Sequence, residues 1–348
     1  MPASSSASKV KVRLDALVRL RQTGEHGAVI RDSKKLWETG TRPPAIRLRR
    51  QYYRLERMAP VVDERNPLPV EDRPVAARMI LPRGVALRLH LTMLFAAQCQ
   101  ATAGHRWRND IPIEPTPSGL SWAALVAANA SANSGILNAA DSTNKVRQLK
   151  EAVKKLESLH LVSVPRPSPR HPITSVQLLH ESAASTEAAA IAYTVPLPTE
   201  PCIELPPEFF TRGWIHALTT SEIAALLMWF DLLTFSGGQS SSGHKVAAVT
   251  GQARQGWYGL GREAYETHQP LEAFELIDVV RPEKRHYDGK WQGFNIDPSD
   301  LLCHRVALVP DAFARDAIRV VEPVLKRRDA ANYWGRPIGG RVTEVVWP

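Results

Sequence analysis

Residues 262–296 constrain the fold most, because a helical pattern there gives way at once to strand composition. Within 262–277, Ala264, His268, Leu271, Phe274 and Ile277 recur at intervals of three and four, which sets them on one helical face. Val279 and Val280 then favour a strand. A polar run over 282–290 follows, and Trp291, Phe294 and Ile296 form a second apolar run. Asp288-Gly289 marks a tight turn, because glycine tolerates the positive φ such turns demand. The segment is predicted to be one helix feeding a β-hairpin with a basic tip.

The same order occurs earlier in the chain. Residues 118–126 suit a short helix with Ser118 or Ser121 as its cap. In 141–159 an apolar stripe of Val146, Leu149, Val153, Leu156 and Leu159 has helical period, with Lys145, Lys150 and Lys154 off it. A strand at 161–164, a proline-rich tip at 165–172 and a returning strand at 174–179 complete the unit. Each unit has an apolar helix upstream, at 85–97 and at 221–233, the latter with Thr219 or Thr220 as cap. Helix, helix, strand, turn, strand is the order of a winged helix-turn-helix. The expected class is α+β: mainly α with small β-hairpins, in two winged helix-turn-helix domains behind a basic N-terminal extension. Residues 1–80 would be that extension, partly disordered; 81–180 the first domain; 181–202 a linker; 203–300 the second domain; 301–348 a tail with one helix, ending before Pro323.

Charge is unevenly placed. Residues 1–57 hold fourteen Lys or Arg and five Asp or Glu, a difference equal to the whole chain's net charge of +9. Arg47, Arg50, Arg54 and Arg57 recur at three- and four-residue intervals, so a helix would set them in one stripe. Two readings stand: an arm lying along a phosphate backbone, or a solvated leader, as Pro43-Pro44 and the serine-rich start suggest. The 348 residues, 44% of them hydrophobic, suffice for two ordinary domains. The longest apolar runs are interrupted by Arg88 and His90 or by Asp231 and are too short to cross a membrane. The first residues lack the apolar core of a secretory signal. Cys99, Cys202 and Cys303 are scattered, which points to a reducing compartment, the cytoplasm, and away from a disulfide framework or structural zinc.

Candidate nucleic-acid contacts follow from the two units. Asn144, Lys145, Arg147 and Gln148 lie early in the first recognition helix, where Asn and Gln pair with adenine and Arg with guanine; the alternative is the plain exposed face of an amphipathic helix. Arg166 and Arg170 on the first tip, and Lys284, Arg285 and Lys290 on the second, suit phosphate. Arg262, Thr267 and Gln269 lie on or beside the second recognition helix, whereas His268 falls on its apolar side. Trp257, Tyr258 and Trp291 are either stacking platforms or core aromatics.

Enzyme signatures are absent from the sequence. It has no Gly-x-x-x-x-Gly-Lys-Ser/Thr loop, and the glycines of 256–262 do not follow a clear strand. It lacks a His-x-Glu with Pro-Cys-x-x-Cys, and it lacks His-x-His. His286, Asp288 and His304 are the one candidate metal group, set partly on a hairpin tip. The expectation is a non-enzymatic protein with no cofactor and no metal.

In architecture the chain resembles the tandem winged-helix replication initiators of plasmids. The residues that carry the likeness are 145–164, with the ending Leu-His-Leu-Val; 209–214, Phe-Phe-Thr-Arg-Gly-Trp; and 262–290. The resemblance implies an origin-binding protein on double-stranded DNA that recruits host replication proteins and exchanges between homodimer and monomer. The alternatives are a winged-helix transcriptional regulator and a nucleoprotein assembly protein whose winged units bind protein.

Overall fold

The computed structural model describes residues 3–61, 66–80, 85–115, 119–128, 139–164, 176–186, 189–239, 245–280 and 304–331. Two helices open the chain, α1 (Ala3–Gln22) and α2 (Glu25–Thr39). The turn between them needs Gly24, whose φ of +74° lies where an L side chain is strained. Helix α1 buries Val10, Leu17 and Leu20, and α2 buries His26, Val29, Ser33 and Leu36 on one face. A strand, β1 (Ile46–Arg49), and two single turns, α3 (Arg50–Tyr53) and α4 (Val75–Arg78), follow. Helix α5 (Ala86–Gln100) is buried at every position up to Cys99 except Arg88.

Helix α6 (Trp122–Leu125) is capped by the Ser121 hydroxyl, which accepts from the Ala124 amide at 3.1 Å. Helix α7 (Ala139–Ser158) buries Leu149, Ala152, Val153 and Leu156. Strands β2 (Val162–Ser163) and β3 (Gln177–Leu178) then pair antiparallel, with Val162 opposite Leu178. Strand β4 (Cys202–Leu205) runs antiparallel to β1, Ile46 opposite Leu205 and Arg49 opposite Cys202. After α8 (Glu208–Thr211) and α9 (Trp214–Ala217), a full capping box starts α10 (Thr220–Phe235). Thr219 Oγ1 accepts from the Glu222 amide, and Glu222 Oε2 accepts from the Thr219 amide at 2.8 Å.

A small hairpin, β5 (Gly238–Gln239) with β6 (Lys245–Val246), leads to α11 (Gly251–Tyr258), α12 (Arg262–Glu266) and α13 (His268–Ala273). Strand β7 (Ile277–Val280) pairs antiparallel with β8 (Arg305–Leu308), and a bridge from Ala247 to Val306 sets the end of β6 on the other side of β8. Helix α14 (Ala317–Ala331) comes last. The protein is thus mainly helical with small antiparallel sheets, an α+β arrangement. Among the described residues no helix is long and apolar enough to cross a membrane.

Four expectations are corrected. Residues 3–61 are not a partly disordered extension, because the apolar stripes of α1 and α2 join the core that extends to Leu325. Helix α1 packs along α14, and Arg13 donates to both carboxylate oxygens of Glu222, at 2.7 and 2.8 Å. The four arginines from 47 to 57 do not share one helix. Ile46 and Leu48 are fully buried with Arg47 between them, an alternation that makes β1 a strand. Residues 262–277 are two helices because Pro270 has no N–H for the carbonyl one turn back and fits only in the first turn of α13. Helix α14 continues through Pro323, which lies on its exposed face. Among the described residues β7 pairs with β8, which lies in the segment expected to be the tail, while the expected turn and return strand at 281–296 lie outside the described residues.

Candidate nucleic-acid interface

Helix α7 presents one buried face and one face of mixed charge. Arg147 is exposed, and Asn144 and Gln148 are half-buried beside it. Lys150 reaches Glu114 at 2.6 Å and Lys154 reaches Glu151 at 2.8 Å, both pairs at the surface. Lys145 differs from the expectation of a DNA contact. Its Nζ donates to Glu25 Oε1 at 2.5 Å and its side chain is only 14% exposed, so α2 holds this cation. Arg147, Asn144 and Gln148 are the candidates this helix keeps at its surface.

The arginines of 47–54 point inward. Asp231, in the middle of α10, is fully buried and accepts four hydrogen bonds: from Arg50 Nε at 3.0 Å, Arg54 Nη1 at 3.1 Å, the Tyr53 hydroxyl at 3.2 Å and the Tyr258 hydroxyl at 2.6 Å. A carboxylate out of water demands such partners. Burial, and then the charge of Asp231, push both phenols well above their ordinary range, so they remain donors. Arg54 also stacks 4.0 Å from the Trp257 ring and Arg50 4.6 Å from the Phe235 ring. Arg47 donates to the carbonyls of Pro198 and Glu200, both at 3.1 Å. Arg47, Arg50 and Arg54 therefore lock β1 and α3 onto the fold and do not form a phosphate-binding stripe. Arg57 is exposed.

A second buried network flanks the first. Arg49 donates to Glu181 at 2.9 Å, to the carbonyl of Thr194 at 3.0 Å and to Glu200. Burial alone would lower the guanidinium's pKa, but the bond to Glu200 and the charges of Glu181 and Glu200 raise it instead. Arg49 is thus a permanently charged tie between β1 and the segment entering β4.

In the later unit Arg262 is 85% exposed and pairs with Glu266 at 3.1 Å. The Thr267 hydroxyl donates to the Ala264 carbonyl at 2.5 Å at the break between helices, and Gln269 is half-buried. His268 is buried, as its apolar position implies, with its ring 4.9 Å from Tyr265 and 5.3 Å from His304. Tyr258 is a core residue and Trp257 is half-buried under Arg54. Arg166, Arg170, Lys284, Arg285, Lys290, Trp291, His286 and Asp288 lie outside the described residues. Among the described residues no cluster of three or more His, Cys, Asp or Glu is arranged to hold a metal.

Sequence reasoning missed Glu25 as the partner of Lys145 and the outward cations of α14, Arg319, Lys326 and Arg327. The first has no local signal, since its partner is 120 residues away. The second has one: 319, 323, 326 and 330 are spaced as one helical face and carry no large apolar residue. Comparison with protein-family models, with curated proteins and with solved structures finds no match.

Proposed function

We propose that the chain binds double-stranded DNA in a sequence-specific manner through two winged helix-turn-helix units, most like an origin-binding replication initiator. The observation that carries the reading is α7. It buries an apolar face, turns Arg147 outward beside Asn144 and Gln148, and runs directly into the β2–β3 hairpin. That arrangement suits a recognition helix with a wing, and an exposed arginine there suits the two acceptors of guanine in the major groove. The later unit supports it with the succession α10, β6, α11, α12–α13, β7, β8, in which β8 lies between β6 and β7. Host replication proteins and a homodimer enter only as partners that an initiator would have.

Selection of bound fragments from random duplexes, followed by salt titration, tests this. A preferred site should persist at salt that abolishes phosphate-only binding. Arg147→Ala should lower discrimination against a scrambled site by about 1–3 kcal/mol while leaving scrambled-site affinity almost unchanged. An equal loss on every sequence would remove base reading from α7. Direct repeats beside an AT-rich stretch would favour an initiator, and a palindrome at a promoter a regulator.

A further inference from the structure

We infer that α1 and α14 together form a second duplex-binding surface, one that grips the phosphate backbone without reading bases. The inference rests on the proposed DNA-binding role for its choice of polyanion, and on the packing of two helices for everything else.

Helix α1 spends its apolar stripe against α14, and α14 buries Ala317, Ile318, Val321, Val324 and Leu325 in return. What the two helices leave outward is basic. On α1, Lys11, Asp15 and Arg19 follow at four-residue intervals and are exposed. On α14, Arg319, Lys326 and Arg327 are exposed, with Asp329 beside them. The two faces meet at Glu322, whose side chain is 8% exposed: Arg21 Nε donates to it at 2.8 Å from α1 and Lys326 Nζ at 2.7 Å from α14. One carboxylate thus ties a cation of each helix together where the two helices pack.

Many basic residues elsewhere in the chain are neutralised within the fold: Arg13, Arg49, Arg50, Arg54 and Lys145 are each matched to a carboxylate. Lys11, Arg19 and Arg327 form no ion pair with any described residue. Six cations, Lys11, Arg19, Arg21, Arg319, Lys326 and Arg327, stand on these two helices against Asp15, Glu322 and Asp329, with Asp316 at the start of α14, and the excess suits an external anion of repeating charge. A bilayer fits less well. A membrane-surface helix presents a broad apolar face to the lipid, yet Val10, Leu17 and Leu20 are already buried and Val12 is the large apolar residue of α1 left exposed.

The test replaces Lys11, Arg19 and Arg327 by Gln in the full chain and measures affinity for a short random-sequence duplex from about 50 to 300 mM KCl. Each phosphate contact contributes about 0.9 to the slope of log K against log salt, so the slope should become shallower by about 2–3. Affinity at low salt should fall by tenfold or more, with thermal unfolding unchanged. A wild-type chain that binds duplex with a slope the triple variant retains overturns the inference. The effect of Arg147→Ala on site preference would then stand by itself, so the two ideas fail separately. A wild-type chain with no duplex affinity removes both. A triple variant that loses binding to vesicles containing phosphatidylserine, while keeping its duplex slope, shows the surface to be a lipid site and likewise overturns it.

Discussion

Glu25 and Lys145 are 120 residues apart in sequence and 2.5 Å apart in space, Oε1 to Nζ. The pair joins the first residue of α2 to the helix proposed to read DNA. It holds a cation away from any phosphate while α2 stays docked. The turn at Gly24 and the ion pair from Arg13 to Glu222 keep it docked.

Glu25→Gln should therefore release Lys145. The expected outcome is a severalfold rise in affinity for duplex DNA at low salt, with the salt slope steeper by about one phosphate contact, or about 0.9. Fluorescence anisotropy over a salt series measures both. An unchanged slope would mean that Lys145 does not reach the backbone even when free.

Asp231→Ala removes the acceptor shared by Arg50, Arg54, Tyr53 and Tyr258. Breaking a buried pair from one side costs about 3–5 kcal/mol, and the partial exposure of Arg50 places this case near the lower end, about 3 kcal/mol. Urea denaturation should show the loss as a lower midpoint. A midpoint within experimental scatter of wild type would show that water replaces the carboxylate at little cost.

Stability should fall as the solution is acidified below neutrality. Burial holds His90 down to about 3, and burial followed by the charges of Arg88, His26 and Lys145 holds His216 well below its ordinary range. Both rings are neutral in the fold. Below about pH 6.5 the unfolded chain takes up protons that the fold refuses, at about 1.4 kcal/mol per group per pH unit. The contribution is complete above pH 6.5 and shrinks as pH drops. Glu181, whose pKa burial raises, works in the opposite sense and returns part of the loss. Between pH 6.5 and 5 the net loss should be about 2–4 kcal/mol, read from urea midpoints at the two pH values. His90→Gln should make the fall shallower.

Gly213→Ala attacks the seat of α2. Gly213 has a φ of +78°, and a Cβ there would strike the His26 ring. The left-handed backbone alone costs about 1–2 kcal/mol, before the displaced ring is counted. Thermal unfolding should come earlier, and limited proteolysis should cut the α1–α2 turn sooner than in wild type. Equal cleavage rates would show that His26 moves aside without loosening α2.

Sequence legibility followed the reach of each interaction. The helix at 141–159 is visible because Leu149, Val153 and Leu156 repeat with a period that only a helix satisfies, and the helix at 221–233 because an apolar run follows Thr219 and Thr220, of which Thr219 is the cap. Strand β1 was hidden because the arginines of 47–57 drew attention from the alternation of Ile46 and Leu48. Pro270 is a local sign of the break between α12 and α13, masked by the apolar period of 264–277. The candidate interface was harder to read than the fold. Whether a lysine or arginine is available depends on a carboxylate elsewhere: Lys145 and Arg147 are neighbours in one helix, yet one is captured by Glu25 and the other is not. Asp231 in the middle of a largely apolar helix is a local sign that basic residues are drawn inward.

The pairing of α1 with α14 also bears on how the chain comes off the ribosome. Arg21 must wait for Glu322, 301 residues downstream. At about 5–20 residues per second that interval is roughly 15–60 seconds. Throughout it the Val10, Leu17 and Leu20 stripe lacks its main cover, which makes α1 a natural client for a chaperone until translation reaches its mate.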